Sequence, residues 1–356
     1  MGEFIGEYGL FLAKAVTVVI ALLVIVISAI SVAGSRVRSS EDGHIEVRKL
    51  NERLDGMRDA LREATLDARE FKREMKAERK AERKADKARR KKQSAAPEPA
   101  PAHPRTIYVL NFHGDIRAHA VHALREEITA VLTRAEPADS VMVRIESGGG
   151  LVHSYGLAAA QLARIRDRGI PLTVCVDKVA ASGGYLMACV AQHIVAAPFA
   201  MLGSIGVVAQ IPNFNRLLRK HDVDYELFTA GQYKRTLTVF GRNTEAGRQK
   251  FSEELEDTHA LFKEFVTRYR PGLDIDTAAT GEVWFGERAL GLGLADELGT
   301  SDGWLQAAVL HSDVLEIRYI ERKRLGERLG LTLETAIERG VTRAVARIGA
   351  REDWLR

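Results

Sequence analysis

The hydrophobic pattern changes character several times along the 356 residues. An uncharged run from Ala15 to Val32 is long enough for one membrane-spanning helix. We therefore predict an N-terminal anchor in residues 1–40, with the span at about 11–33. A cleaved signal peptide is the alternative, but the run exceeds the usual length of such a segment and acidic residues precede it.

The pattern of residues 41–93 predicts a charged helix. Its apolar residues recur at alternating spacings of four and three, which is typical of a heptad seam: Leu50, Leu54, Met57, Leu61, Ala64, Ala68, Phe71 and Met75. The seam predicts either a self-associating stalk or a single solvated helix, and the pattern does not separate the two. From Arg69 to Lys92 there are thirteen basic and five acidic residues. Without interleaved aromatic residues, this stretch favours anionic lipid headgroups or plain solvation over nucleic acid.

A Pro/Ala-rich linker, residues 94–105, separates this helix from a globular region predicted at 106–310. In that region apolar strand patterns alternate with amphipathic helical stripes, which predicts an α/β fold with a mostly parallel sheet. Ligands of such folds bind at the carboxyl ends of the strands. A basic helical tail, 311–356, is predicted to be solvated or to touch the membrane or a neighbouring subunit.

The composition does little to narrow the class of protein. The chain is 46% hydrophobic and 28% charged with a net charge of +4, which is ordinary for a globular protein. Cys175 and Cys189 both fall in apolar patterns, which favours two buried thiols over a disulfide. The two cysteines do not decide the cellular compartment.

Two glycine-rich turns follow predicted strands, at Ser147–Gly150 and Ser182–Gly184. Acyl transfer needs a nucleophile with a base and two N–H donors aimed at the developing oxyanion. Ser182 is the candidate nucleophile, because a glycine turn that opens a helix supplies such donors. The base is open at this point. His153, His193 and His221 have no triad-like relation to Ser182, and spacing does not choose between Lys178 and Lys234.

Several motifs, in order, resemble the signal peptide peptidase A family of serine proteases, most closely its SohB-type inner-membrane members. They are VDKVAASGGYLMA, GSIGVV, NFNRLL, TAGQYKRTLT and TGEVWFGERALGLGLADELG, and the similarity spans Thr106 to Gly299. The resemblance implies a Clp protease/crotonase-like fold of stacked strand–strand–helix units. In this chain it would follow the transmembrane helix and the long polar helix.

The resemblance also implies roles for individual residues. These are Ser182 as nucleophile, Lys234 as general base, Ser204 as the hydroxyl that orients Lys234, and the N–H groups of Gly149 and Gly183 as the oxyanion hole. The chain departs from the family at one position of the first turn, where Gly148 stands in place of proline. No metal or organic cofactor is implied.

We therefore expect a membrane-anchored serine endopeptidase with a Ser–Lys dyad that cleaves remnant signal peptides or other short, apolar, extended segments. Its expected partners are such peptides, the lipid bilayer and further copies of itself, with active sites at subunit contacts. The alternatives are a catalytically weak membrane scaffold or adaptor of the same fold, and a crotonase-like acyl-CoA enzyme. The expected location is the bacterial inner membrane, with a single-pass N-terminal anchor. Lys/Arg bias favours a cytoplasmic catalytic domain and the resemblance a periplasmic one.

Overall fold

The computed structural model describes residues 43–93 and 105–321. The predicted membrane span, the linker and the basic tail from residue 322 onward lie outside these ranges. Within the described residues, none of the helices is both long enough and apolar enough to cross a membrane. The described residues between Ile45 and Tyr319 form one compact unit.

One sheet organises this unit. Its strands are β1 (His44–Lys49), β2 (Thr106–Gly114), β3 (Ser140–Ser147), β4 (Leu172–Val176), β5 (Val179–Ala181), β6 (His193–Ala196), β7 (Met201–Gly203), β8 (Val283–Phe285), β9 (Glu297–Leu298) and β10 (Asp313–Ile320). Their order is β1-β10-β2-β3-β4-β6-β9, with β5, β7 and β8 branching from β3. The pairs among β2, β3, β4 and β6 are parallel, so the predicted α/β fold with a mostly parallel sheet is confirmed.

Along the chain, the helices of the described residues alternate with these strands. They are α1 (Leu50–Thr65), α2 (Ala68–Gln93), α3 (Val121–Arg134), α4 (Val152–Asp167), α5 (Gly183–Ala188), α6 (Asn215–Lys220), α7 (Glu245–Tyr269), α8 (Ile275–Ala278), α9 (Gly286–Leu292) and α10 (Ser301–Ala308). Side chains of α3, α4 and α5 share a large apolar core with strands β2 to β6. A smaller apolar cluster, which includes Leu50, Met142 and Cys175, packs separately. Both cysteines are buried free thiols.

The branch in the sheet determines where the site forms. Strand β3 pairs with β4 from Val141 to Arg144, and then with β5 at its last residue, where Ser147 lies opposite Ala180. Strand β5 in turn pairs with β7. The ends of β3, β5 and β7, and the turns that follow them, are therefore neighbours.

The prediction of one continuous helix over 41–93 is wrong. Residues 44–49 are a strand, and the helical stretch is interrupted at Leu66 and Asp67. The chain reverses there. The ion pair between Arg62 and Glu78, with 3.0 Å between nitrogen and oxygen, shows this. In an unbroken helix a separation of 16 residues corresponds to roughly 24 Å. The predicted heptad seam is therefore divided between two helices that fold back on each other.

The predicted domain bounds of 106–310 also differ from the observed sheet. Strands β1 and β10 both join it from outside those bounds. The side chain of Asn51 ties the start of α1 to this edge, accepting from the Val314 N–H at 2.7 Å and donating to the Ser312 carbonyl at 2.9 Å. Residues before the linker thus belong to the same compact unit as those after it.

A buried carboxyl group joins helix α3 to strand β10. Glu127 is 6% exposed, and its Oε1 accepts the Tyr319 N–H at 2.9 Å. Its Oε2 is buried without a hydrogen-bond partner in the described part of the chain. Burial therefore raises the pKa of Glu127 from 4.5 to about 7.

This shift predicts a pH dependence of stability. Because the folded state binds this proton more tightly than the unfolded state, the free energy of unfolding should fall as pH rises from 4.5 through 7. Glu127→Gln should abolish this fall. It should exceed the native chain in stability by roughly 1–3 kcal/mol at alkaline pH, and match it at acidic pH. Denaturant unfolding across pH measures this, with the exposed neighbour Glu126→Gln as control. Parallel pH profiles for Glu127→Gln and the native chain would contradict the assignment.

Candidate active site

Ser182 occupies the strained turn between β5 and α5. Its backbone has φ 52° and ψ −119°, a conformation that L residues rarely adopt. The turn is held by a hydrogen bond from the Ser182 N–H to the Gly203 carbonyl at 2.8 Å. The hydroxyl does not cap the helix and has no hydrogen-bond partner among the described residues. Backbone strain of about 1–3 kcal/mol at such a residue is a signature of functional sites.

The glycine turn after β3 lies directly against the Ser182 turn. Gly149 has φ +87°, and a Cβ placed on it would lie 2.6 Å from the Gly183 nitrogen and 2.8 Å from the Ser182 Cβ. A Cβ on Gly184 would likewise lie 2.5 Å from the Ser147 carbonyl oxygen. Only residues without a side chain allow these two backbones to approach so closely.

The third turn follows β7 and carries Ser204. Gly203 and Ser204 both have positive φ, at +94° and 49°. The turn is fixed by a hydrogen bond from the Ser204 N–H to the Glu282 carbonyl at 2.6 Å. Strand β8, which begins one residue later, pairs antiparallel with β7 and supports this turn from the outside.

All three turns line one cavity of about 820 Å³. Ser182, Gly183, Gly149 and Ser204 contribute from the strand ends. Apolar side chains form much of the remaining wall, and they come from α4, α5, α7 and the segment after Ser204: Val152, Leu186, Val207, Val208, Leu261, Phe262 and Phe265. The structure therefore brings together four of the five predicted site residues.

Lys234 is the fifth, and it is not among the residues that line this cavity. It is exposed, on residues 206–244, which we call the Lys234 arm. The arm folds on itself through the Phe214 N–H, which donates to the Val239 carbonyl at 2.7 Å, and through a ring contact between Phe214 and Phe240. Of residues 206–244, all of which the structure describes, only Gly241 is buried. Lys178, the other lysine weighed from sequence, pairs with Glu146 at 2.9 Å on the surface.

The two predicted oxyanion donors differ in their present partners. The Gly149 N–H donates to the Ser147 hydroxyl at 3.1 Å. The Gly183 N–H begins helix α5, where first-turn N–H groups lack an intrahelical acceptor. Gly183 is thus the donor that the fold leaves open, whereas Gly149 is already engaged. Gly148, in the position of the family's proline, has empty space around its Cβ position.

Two lining residues were missed from sequence. His259 on α7 has its Nε2 3.1 Å from the Ile205 carbonyl oxygen; because a carbonyl only accepts, Nε2 carries the proton and Nδ1 is the free acceptor of the neutral ring. Tyr155 on α4 lies beneath both glycine turns, fully buried. His259 could have been found from its spacing, because it comes four residues after Leu255 and three before Phe262 and so lies on the same helix face as these apolar residues. Apart from these two, the described lining residues carry no titratable side chain.

The described residues include no group of three or more His, Cys, Asp or Glu side chains that could hold a metal ion. The arrangement at the strand ends consists instead of a hydroxyl without a partner, an open N–H and an apolar wall. These are the parts that nucleophilic attack on a carbonyl needs, and a base must join them.

The close approach of the turns gives a matched pair of substitutions. Gly149→Ala should lower the free energy of unfolding by at least about 2 kcal/mol, because it combines a left-handed φ with a Cβ against the Gly183 nitrogen. Gly148→Ala, where the added Cβ meets nothing within 4 Å, should change it by less than about 0.5 kcal/mol. Denaturant unfolding of both variants checks this. Equal losses would contradict the described packing.

Two regions of the chain match models of known protein families. Residues 3–162 match Peptidase family S49 N-terminal, and residues 164–314 match Peptidase family S49. The chain is 47% identical over 329 residues to Probable protease SohB of Haemophilus influenzae, which covers 91% of this chain and 92% of the relative. It is 57% identical over 222 residues to Probable protease SohB of Buchnera aphidicola subsp. Acyrthosiphon pisum, covering 62% of this chain and 66% of the relative.

Two solved structures show weak likenesses. One is the 1510-N membrane-bound stomatin-specific protease in complex with a substrate peptide, with a TM-score of 0.39 at 14% identity, covering 65% of this chain and 99% of that one. The other is a ClpP1 mutant from Listeria monocytogenes, with a TM-score of 0.36 at 12% identity, covering 56% and 94%. Likenesses this weak carry no inference about this chain.

The family matches span most of the chain, and the Haemophilus relative is matched along nearly its whole length. The predicted resemblance to the SohB-type peptidases is confirmed, and the chain belongs to peptidase family S49.

Proposed function

We propose that this protein is a serine endopeptidase in which Ser182 is the nucleophile, Lys234 the general base and Ser204 the hydroxyl that orients Lys234. The observation that carries the proposal is the Ser182 hydroxyl. It lies on a strained turn, without a hydrogen-bond partner in the described residues, in a cavity shared with the other two turns. Strain is retained at a residue when the surrounding structure imposes it, and here both flanking turns do so.

The proposed reaction divides peptide hydrolysis into two steps. The neutral amine of Lys234 takes the proton from the Ser182 hydroxyl as its oxygen bonds to the substrate carbonyl carbon. The carbonyl oxygen becomes an oxyanion, which the Gly183 N–H stabilises, with the Gly149 N–H as a second donor that shares its proton between the oxyanion and the Ser147 hydroxyl. The C–N bond then breaks, and the proton passes from Lys234 to the leaving amine. Water then attacks the acyl carbon as Lys234 takes its proton; the bond between the acyl carbon and the Ser182 oxygen breaks, the proton passes from Lys234 to that oxygen, and the carboxylic acid product leaves.

Lys234 reaches Ser182, in this proposal, from a second copy of the chain. The Lys234 arm exposes large apolar side chains, with Val208 83%, Phe228 87% and Tyr233 57% exposed. Several large apolar side chains exposed on one segment are typical of an interaction site. Its burial against another subunit would remove these side chains from water and desolvate the lysine, and desolvation favours a neutral amine. We therefore propose a homo-oligomer with active sites at subunit contacts.

The proposed substrates are extended apolar peptides, such as remnants of signal peptides. The cavity wall from Val207 to Phe265 is rich in aliphatic and aromatic side chains, which suits apolar residues of a substrate. The segment Gly206–Val208 lines the same cavity, and its backbone makes no hydrogen bonds with the rest of the described chain. Backbone N–H and C=O groups that are unpaired beside a cavity can pair with an extended peptide.

Two further parts of the proposal concern fold and location. We propose that the unit is of the Clp protease/crotonase type, which is supported by the departure of β3 from β4 to pair with β5. We also propose that the N-terminal segment anchors the protein in the inner membrane and that basic α2 lies near lipid headgroups. The side on which the catalytic unit lies is read directly by an alkaline phosphatase fusion at the C-terminus.

A membrane scaffold of the same fold is the second candidate, and the position of Lys234 outside the cavity is the observation that favours it. A fluorophosphonate probe separates the two functions. Labelling of Ser182 supports the peptidase, whereas a scaffold should leave Ser182 unlabelled.

Ser182→Ala and Lys234→Ala should each lower peptide hydrolysis by at least about 1,000-fold, because each removes one member of a unit that acts together. Neither change should unfold the protein, since neither side chain makes a hydrogen bond within the described residues. Cleavage of an apolar fluorogenic peptide measures the loss. Lys178→Ala, which removes a surface lysine paired with Glu146, is the matched control and should retain activity. Full activity of either dyad variant would overturn the dyad.

Mixing the two inactive variants tests whether the dyad spans two subunits. If subunits exchange at random, about a quarter of the sites in an equimolar mixture should join an intact Ser182 with an intact Lys234 from different chains. Hydrolysis should therefore reappear after denaturation and joint refolding of Ser182→Ala with Lys234→Ala. A mixture that stays inactive while forming native-sized oligomers argues that both residues act within one chain.

A further inference from the structure

A chain of hydrogen bonds runs beneath the two glycine turns. The Gly149 N–H donates to the Ser147 hydroxyl at 3.1 Å, the Ser147 and Tyr155 hydroxyls lie 2.5 Å apart, and the Tyr155 hydroxyl donates to the Asp115 carbonyl at 2.8 Å. Ser147 and Tyr155 are both buried. The chain joins the first turn to the end of β2.

The direction of every bond in this chain is fixed by the number of available protons. The Asp115 carbonyl only accepts, so the single proton of the Tyr155 hydroxyl lies between them. Ser147 must then donate to Tyr155, and its oxygen is left to accept from Gly149. Burial raises the pKa of Tyr155 above its usual value of 10, so this hydroxyl keeps its proton at neutral pH. The orientation of the Gly149 peptide is thus set by Tyr155 through Ser147.

The ring of Tyr155 supports the second turn at the same time. A Cβ placed on Gly183 would lie 2.4 Å from Tyr155 Cγ, so the start of α5 rests directly on the ring. The ring is held from another side by Phe112, edge to face, with 6.2 Å between centroids. One fully buried side chain therefore contacts both halves of the proposed oxyanion hole, the hydroxyl acting on one turn and the ring on the other.

The end of β2 is shaped to hold this pair of hydroxyls. A Cβ on Gly114 would lie 2.4 Å from both the Ser147 Oγ and the Tyr155 oxygen. Glycine here leaves room that any other residue would fill. Tyr155 is thus enclosed by backbone from β2, from the Gly149 turn and from the Gly183 turn, and has little freedom to shift.

We propose that Tyr155 is a positioning residue: its ring holds the Gly183 N–H towards the tetrahedral oxyanion, and its hydroxyl, through Ser147, holds the Gly149 turn against Gly183. The inference rests on the proposed peptidase function and adds to it the residues that build the oxyanion hole. Tyr155 does not touch the reacting atoms in this role. It acts on them through the two turns.

Tyr155→Phe tests this by removing only the hydroxyl and keeping the ring under Gly183. Ser147 then loses its acceptor and can rotate, and the Gly149 peptide is no longer fixed. We expect kcat to fall by roughly 10- to 100-fold with KM nearly unchanged, because the oxyanion exists only in the transition state. Affinity for a peptide aldehyde, whose hemiacetal oxygen occupies the same position, should fall in parallel, while affinity for the product peptide should not change.

Two further variants separate positioning from folding. Tyr185→Phe removes the hydroxyl of an equally buried tyrosine, which donates to the Leu294 carbonyl at 3.2 Å away from the cavity lining, and should leave kcat unchanged. Ser147→Ala should reproduce the kcat loss of Tyr155→Phe, and the double variant should be no worse than the more impaired single one, because both residues belong to one chain of bonds. If Tyr155→Phe does not fold, the kcat of Ser147→Ala alone tests the positioning role.

The outcomes distinguish this inference from the proposed function. A native chain that hydrolyses peptides, loses activity in Ser182→Ala and keeps full kcat in both Tyr155→Phe and Ser147→Ala overturns the positioning role alone. A fall in kcat without a loss of aldehyde affinity, or equal losses in Tyr185→Phe, also overturns it. A native chain that neither cleaves peptides nor labels at Ser182 overturns the proposed function, and the positioning role with it.

Discussion

The close contact between the Gly149 turn and the Ser182 turn is the constraint on which the rest of the structure depends. With 2.6 Å between the Gly183 nitrogen and the position a Gly149 Cβ would take, neither turn can move without the other. The contact requires strand β3 to leave β4 and end beside β5, since only then do both turns start from neighbouring strand ends. It also requires Tyr155 beneath them, because a smaller side chain would leave a void under Gly183 in an otherwise closely packed core.

The parallel register converts this local contact into a site. The carboxyl ends of parallel strands lie along one edge of a sheet, and the β3, β5 and β7 turns meet there. Each turn contributes a different group. Gly149 has its N–H hydrogen-bonded to Ser147, Ser182 has a hydroxyl that does not cap the helix, and Ser204 has a backbone with positive φ. Helix α7 closes the cavity with an apolar face, and His259 on that face holds the Ile205 carbonyl next to Ser204. Packing and chemistry are therefore set by the same few backbone positions.

Much of this was predictable because the information is local. Strands β2 and β3 and helices α3 and α7 follow periodicities that match their burial, and glycines in the turns indicate close backbone approach. The reversal between α1 and α2 was not predictable, because the seam continues smoothly from Leu61 through Ala68. The reversal shows only in contacts between residues distant in sequence, such as Arg62 with Glu78, which the local pattern does not encode. The role of Tyr155 was not predictable for a similar reason: in the sequence it is one of several core positions of α4, and its contacts are with other elements of the fold.

The position of Lys234 is the point at which sequence motif and single-chain structure diverge, and physical chemistry accounts for it. The described wall of the cavity holds no lysine, arginine or carboxylate, so a substrate there meets an apolar surface and neutral donors. A lysine kept permanently in such a wall would be a buried cation without a partner, which costs several kcal/mol. Carrying it instead on an exposed arm avoids that cost in the separate chain. In the proposed assembly, the same event that buries the arm's apolar side chains also desolvates the lysine, so a competent base and a completed cavity arise together. His259 offers a contrast, because its Nε2 is already committed to Ile205 and it needs no second chain to reach the cavity. An enzyme that used His259 as its base would be active as a monomer, whereas one that uses Lys234 would gain its activity from assembly.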